Sequence, residues 1–92
     1  MDTLRIIEKQ SGFLRLIYYL GDRGERSIKD IMDDTNIPVH QLYSSIEKGK
    51  ELGIIKTRID NDKYPPRNLI SLTQRGVLLS EKLREIITII EG

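Results

Sequence analysis

The chain has 92 residues, and 15 Lys and Arg against 14 Asp and Glu leave a net charge of +1. That length holds one domain, residues 1–92, rather than two, and that balance excludes recognition of a polyanion by bulk charge alone. Cysteine is absent, which excludes disulfides, thiol nucleophiles and thiolate metal sites.

Taken along the chain, the apolar residues from Thr3 to Leu20 recur at helical spacing. Leu4, Ile7, Leu14 and Tyr18 form one row, and Ile6, Phe13, Ile17 and Leu20 form another. One long amphipathic helix is expected there, ended by Gly21, Asp22 and Gly24. Ser27 has the character of an N-cap, with Asp30 three residues on, and Ile28, Ile31 and Met32 mark one face of a short second helix. Thr35, Asn36 and Ile37 make a turn. Pro38 suits the first turn of a third helix, where its missing N–H leaves nothing unbonded. Leu42, Ile46 and Gly49 give that helix its buried face, and Leu52 and Gly53 close it.

Ile54 to Ile59 then alternates Ile55, Thr57 and Ile59 with Lys56 and Arg58, the pattern of a strand with one wet face. Asp60 to Arg67 reads as a loop, and Asn68 to Leu72 as the returning strand of a hairpin. Thr73 caps a last helix running to about Ile90, roughly 25–30 Å long at ~1.5 Å per residue. The fold class is mainly α with a small β-hairpin (α+β), in the order α-α-α-β-β-α. A short helix, a tight turn and a second helix make a helix-turn-helix, and the hairpin after it has the place of a wing. No apolar run nears the ~20 residues of a membrane span. Met1, Asp2 and Thr3 open no signal sequence. The expectation is a cytoplasmic protein with no membrane partner.

The stretch Thr35-Asn36-Ile37-Pro38, then Leu42, then Glu51-Leu52-Gly53-Ile54-Ile55, resembles the helix-turn-helix of MarR-like and related small prokaryotic and archaeal transcriptional regulators. Leu72-Thr73-Gln74-Arg75-Gly76 resembles the Leu-Thr-x-x-Gly step leading from wing to last helix in the same group. The resemblance spans about Ser27 to Leu83. It implies a winged helix that binds double-stranded DNA, regulates transcription and forms a homodimer. Two positions depart from the group's pattern. Gly49 stands where a large apolar residue is usual, and Val39, His40 and Gln41 carry none of the Lys or Arg common in the first turn.

Opposite the buried face of the third helix lie His40, Gln41, Tyr43, Ser44, Glu47 and Lys48. Val39, His40, Gln41, Tyr43, Ser44 and Lys48 are the candidates for contact in a major groove. From Lys56 to Arg75 five cations face only Asp60 and Asp62, whereas Ser27 to Ile37 sets Lys29 against Asp30, Asp33 and Asp34. That asymmetry nominates Arg58, Lys63 and Arg67 for the phosphate backbone. Tyr64, beside Pro65 and Pro66, either meets a groove or packs on the wing. Leu79, Leu83, Ile86 and Ile90 form a stripe expected to make a dimer interface, with Leu78, Ile87 and Ile89 beside it. The alternative is a winged-helix module for protein–protein assembly, favoured by Glu47 and the weakly basic third helix. Nothing points to an enzyme, a cofactor or an effector site. His40 stands alone, and Asp60-Asn61-Asp62 lacks the glycine and glutamate of a calcium loop.

Overall fold

The computed structural model describes residues 2–92, leaving Met1 outside the described residues. Five helices and three strands follow in the order α1 (Thr3–Lys9), α2 (Phe13–Arg23), β1 (Arg26–Ser27), α3 (Ile28–Thr35), α4 (Val39–Glu51), β2 (Ile55–Asp60), β3 (Arg67–Leu72) and α5 (Gln74–Glu91). The core is built on α2. Phe13, Leu16, Ile17 and Leu20 fall at i, i+3, i+4 and i+7, and all four are buried as one helix face must be to reach a core. Around them pack Ile31 from α3, Leu42 and Ile46 from α4, Ile55 and Ile70 from the sheet, and Leu83 from α5. Among the described residues no helix is long and apolar enough to cross a membrane.

The N-terminal region is two helices, not the single one its periodicity predicts. Gly12 takes a left-handed backbone (φ +84°), which breaks the helix where only glycine fits easily. The break is anchored from outside. The hydroxyl of Ser45, fully buried on α4, donates to the Ser11 carbonyl at 3.2 Å and accepts from the Gln10 side-chain amide at 3.4 Å. Gly21 does not end α2 but lies inside it, and a Cβ there would overlap the Ser80 side chain of α5. The two long helices cross at this bare backbone, and Gly24 (φ +78°) supplies the stop.

The local signals at the next junctions hold. Ser27 caps α3 by accepting from the Asp30 N–H at 3.2 Å, and Asn36 closes that helix in the left-handed region. Thr35 fastens the turn, donating to the Ile31 carbonyl at 2.6 Å and accepting from the Ile37 N–H at 3.2 Å. Pro38 is the N-cap of α4 rather than its first residue. Gly49 is small because Ile55 fills its space: a Cβ at 49 would overlap the Ile55 side chain.

The sheet has one strand more than expected. β1, only Arg26 and Ser27, pairs antiparallel with β3, and β3 pairs antiparallel with β2, in the order β1-β3-β2. The alternation in β2 marks two faces without burying both ends of one. Ile55 is buried, but Thr57 is exposed and Ile59 is 60% exposed, because the hairpin extends beyond the body that covers its base. Thr73 caps α5, accepting from the Gly76 N–H at 3.2 Å while its hydroxyl donates to the Gly53 carbonyl at 2.7 Å. Its own N–H donates to the Ile54 carbonyl at 2.9 Å. A Cβ on Gly76 would strike that same Ile54 carbonyl. The Leu-Thr-x-x-Gly step is therefore a clasp between the end of α4 and the start of α5.

Two outcomes follow from this packing. Gly76→Ala should lower stability by about 1–3 kcal/mol, because a backbone carbonyl cannot yield as a side chain does, read as a fall in melting temperature. Tyr19, buried on α2, donates to the Asp34 carboxylate at 2.6 Å, and burial, reinforced by that carboxylate, pushes its pKa up from 10.0 to about 12. The folded state holds this proton more tightly than the unfolded chain. The contribution is full below pH 10 and is lost as pH climbs toward 12, on the order of 2–3 kcal/mol. Urea unfolding across that range should show the loss in the wild type and not in Tyr19→Phe.

Candidate nucleic-acid interface

Pro38 and the turn before it set the direction of α4, and the burial of Leu42, Ser45, Ile46 and Gly49 fixes its rotation. Val39, His40 and Tyr43 are thereby exposed, and Gln41, Ser44 and Lys48 half-buried. The hairpin β2–β3 stands beside this helix. Between them lies an open groove of about 530 Å³, with Tyr43 of α4, Lys63 and Tyr64 of the hairpin tip, Arg67 and Asn68 of β3, and Lys29 of α3 on its walls. Of the residues nominated from sequence, Tyr43, Lys63 and Arg67 are thus brought to one place. Val39, His40, Gln41, Ser44 and Lys48 lie along the rest of α4 and do not line that groove.

A helix-turn-helix whose second helix stands exposed, followed by a hairpin beside it and a long helix behind, decides the architecture. The chain has a winged helix-turn-helix fold. Similar solved structures agree with it. One is a transcriptional regulator homologue from Pyrococcus horikoshii OT3, 22% identical over 100% of this chain and 97% of that one, with a TM-score of 0.72. Another is a regulator described as of the MarR family from Enterococcus faecalis V583, 18% identical over 99% and 87%, TM-score 0.69. A third, mutant ZitR from Lactococcus lactis in the apo form, is 16% identical over 92% of this chain and 64% of its own, TM-score 0.71. At these identities the likeness is one of fold. No family model and no curated protein matches the sequence.

The charges of the interface are mostly spoken for. Arg58, on the sheet face away from Ile55, holds Glu25 with both arms of its guanidinium, at 2.9 and 2.7 Å. Since β3 lies between β1 and β2, this pair reaches across the central strand and ties the two edges of the sheet. The Arg58 guanidinium holds the Glu25 carboxyl below its ordinary range, and Glu25 in turn raises Arg58. Arg67 meets Asp60 at 3.5 Å where the two strands give way to the wing tip, and its Nε is buried without a hydrogen-bond partner. Asp60 accepts from the Asp62 N–H at 3.0 Å; that bond, then Arg67, holds its carboxyl low. On α4 Lys48 pairs with Glu51 at 3.1 Å and Lys50 with Glu47 at 3.6 Å. Among the described residues Lys29 and Lys63 have no ion-pair partner.

Sequence reasoning missed Glu25 as the partner of Arg58, and it counted Lys29 with an acidic helix rather than with the wing. Only the strand pairing of Arg26 and Ser27 with Ile70 and Leu69 reveals both. The α5 stripe also divides. Leu83 is buried in the chain's own core and Leu79 packs against it, whereas Ile86 is half-exposed and Ile90 fully open. The inward face of α5 is covered by α2 only along part of its length. Leu83 is thus used by the chain's own core, while Leu79 is only partly buried.

The Glu25–Arg58 pair makes a direct prediction. An NMR titration should place the Glu25 carboxyl below an ordinary glutamate, and Arg58→Ala should return it upward. Stability should change little, because solvent screens an exposed pair and ordering its two side chains offsets most of the attraction.

Proposed function

We propose that the protein is a homodimeric transcriptional regulator that binds double-stranded DNA, with α4 in the major groove and the wing on the adjoining backbone. The observation that carries this reading is the common groove that sets Tyr43 of the recognition helix against Lys63 and Arg67 of the wing. An α-helix fits the major groove, where Gln41 and Ser44 can meet base edges. Similar structures described as transcriptional regulators support the same reading. The reading gives the chain no catalytic role and no cofactor.

Dimerisation rests on α5. Ile86, Ile89 and Ile90 leave the C-terminal half of an 18-residue helix apolar and exposed, and Leu4 of α1 is exposed as well. Exposed apolar side chains gathered on one helix, as on α5, mark an interface. A two-fold contact counts each residue twice, at up to ~1.5–3 kcal/mol per fully buried Leu or Ile. The dimer would present two recognition helices to successive major grooves, ~34 Å apart. A protein–protein module is the second reading, favoured by the Lys48–Glu51 and Lys50–Glu47 pairs that neutralise much of the helix surface.

A duplex titration at several salt concentrations tests the function. The wild type should bind with a steep salt dependence. Lys63→Ala with Arg67→Ala should flatten the slope by up to ~2 units while weakening all sequences alike; an unchanged slope would remove the wing from the interface. Gln41→Ala or Ser44→Ala should instead reorder the preferred sites, at about 1–3 kcal/mol per lost base contact. For the dimer, Ile86→Asp and Ile90→Asp should sediment as monomers that keep their helicity, since neither residue is buried in the core. A wild type that already runs at 10.7 kDa at high micromolar concentration contradicts the dimer.

A further inference from the structure

The groove between α3, α4 and the wing has chemistry that a duplex backbone does not use up. Its two aromatic side chains come from different walls: Tyr43 from the recognition helix, half-exposed, and Tyr64 from the wing tip, 96% exposed. The sequence left Tyr64 between packing on the wing and meeting a groove, and that exposure rules out packing. Three cations, Lys29, Lys63 and Arg67, share the same walls against the single carboxylate of Asp30. Arg67 meets Asp60 at 3.5 Å through one arm and keeps its Nε buried, whereas Lys29 and Lys63 have no acidic partner among the described residues.

The groove also continues. A smaller depression of about 230 Å³ follows the flank of α4 past Glu47 and Lys50, and it shares Ile28, Tyr43 and Asn68 with the first. A track open to solvent and longer than one pocket suits a chain rather than a small molecule. The unpaired cations lie in the first half, whereas in the second Glu47 and Lys50 answer each other at 3.6 Å, so phosphates belong toward Lys29 and Lys63. A cationic groove edged by exposed aromatic rings is the general means of holding unpaired nucleotides, because every base has a face to stack. In a duplex those faces are covered by neighbouring bases.

We propose that this groove binds single-stranded DNA, with phosphates on Lys29, Lys63 and Arg67 and bases stacked on Tyr64 and Tyr43. The activity accompanies the duplex binding proposed above and shares three of its residues. It adds Lys29 and Tyr64, which the duplex reading leaves unused. Arg58 is outside it, because Glu25 holds that guanidinium on another part of the sheet.

The test is fluorescence polarisation of the intact protein with labelled oligo-dT and with a labelled duplex of equal length, each over a range of salt. The wild type should bind oligo-dT with a slope of about 0.7 per phosphate held. Lys29→Ala should reduce that slope by about one such step. Tyr64→Ala should lower the ratio of single-strand to duplex affinity about tenfold, as loss of one stacked base does, and Tyr64→Phe should restore it. Lys29 and Tyr64 are both exposed, so these variants should keep the wild-type circular dichroism and melting temperature. Duplex binding without oligo-dT binding overturns this inference and leaves the proposed function standing. Oligo-dT binding indifferent to Tyr64→Ala overturns it equally. A protein that binds neither probe overturns both.

Discussion

The structure depends on the burial of one face of α2. Phe13, Leu16, Ile17 and Leu20 reach every other layer, so the positions of α3, α4, the sheet and α5 are all set against a single helix. Two features protect that arrangement. The left-handed break at Gly12 lets α1 turn away, so that α2 can be central without carrying a long rigid extension. The bare backbone at Gly21 lets Ser80 of α5 approach closely. Interiors are packed densely enough that such contacts leave little room to slide. The recognition helix inherits its rigidity from this frame, through Leu42 and Ile46 in the core and through the buried Ser45 hydroxyl tied to Ser11.

Under the proposed function, a chain of net charge +1 would have to engage a polyanion through the placement of its charges rather than their sum. Most cations near the interface already have a carboxylate: Arg58 with Glu25, Arg67 with Asp60, Lys48 with Glu51, Lys50 with Glu47. The two pairs on α4 have exposed carboxylates, and such pairs are worth little, so exchanging one of those carboxylates for a phosphate costs little as well. In the proposed complex the unpaired donors would decide where the backbone settles, and Lys29 and Lys63 lie on the same groove as Tyr43 and Arg67. The exchange also keeps the free surface near neutral, which restrains indiscriminate attraction to nucleic acid. Binding of this form should involve few phosphates and gain from a second copy of the site.

What could be read from the sequence was what is local. Ser27, Thr73, Asn36 and Gly53 announce caps and turns within three or four residues of where they act, and each occupies the place expected of it. The α4 face was legible because Leu42, Ile46 and Gly49 keep a helical period. The errors are all questions of what lies opposite. Apolar spacing runs straight through Gly12, so the break between α1 and α2 is silent without Ile37 and Ser45 beside it. β1 is two residues long and exists only by pairing with β3. Ile59 alternates correctly with Arg58 yet has nothing above it. Leu83 and Ile86 share one stripe, and only the length of α2 decides that the first is core and the second surface. Of the candidate site, the recognition helix and Lys63 could be named in advance. The Glu25–Arg58 tie, joining residues 33 apart, could not.

If α4 and the wing act as one surface against DNA, amide chemical-shift mapping with a duplex will reveal it. Residues 39–48 and 61–68 should shift together in a single saturable process, while the amides of residues 86–91 remain in place. Shifts confined to α5, or none beyond those produced by an equal concentration of added salt, would contradict it.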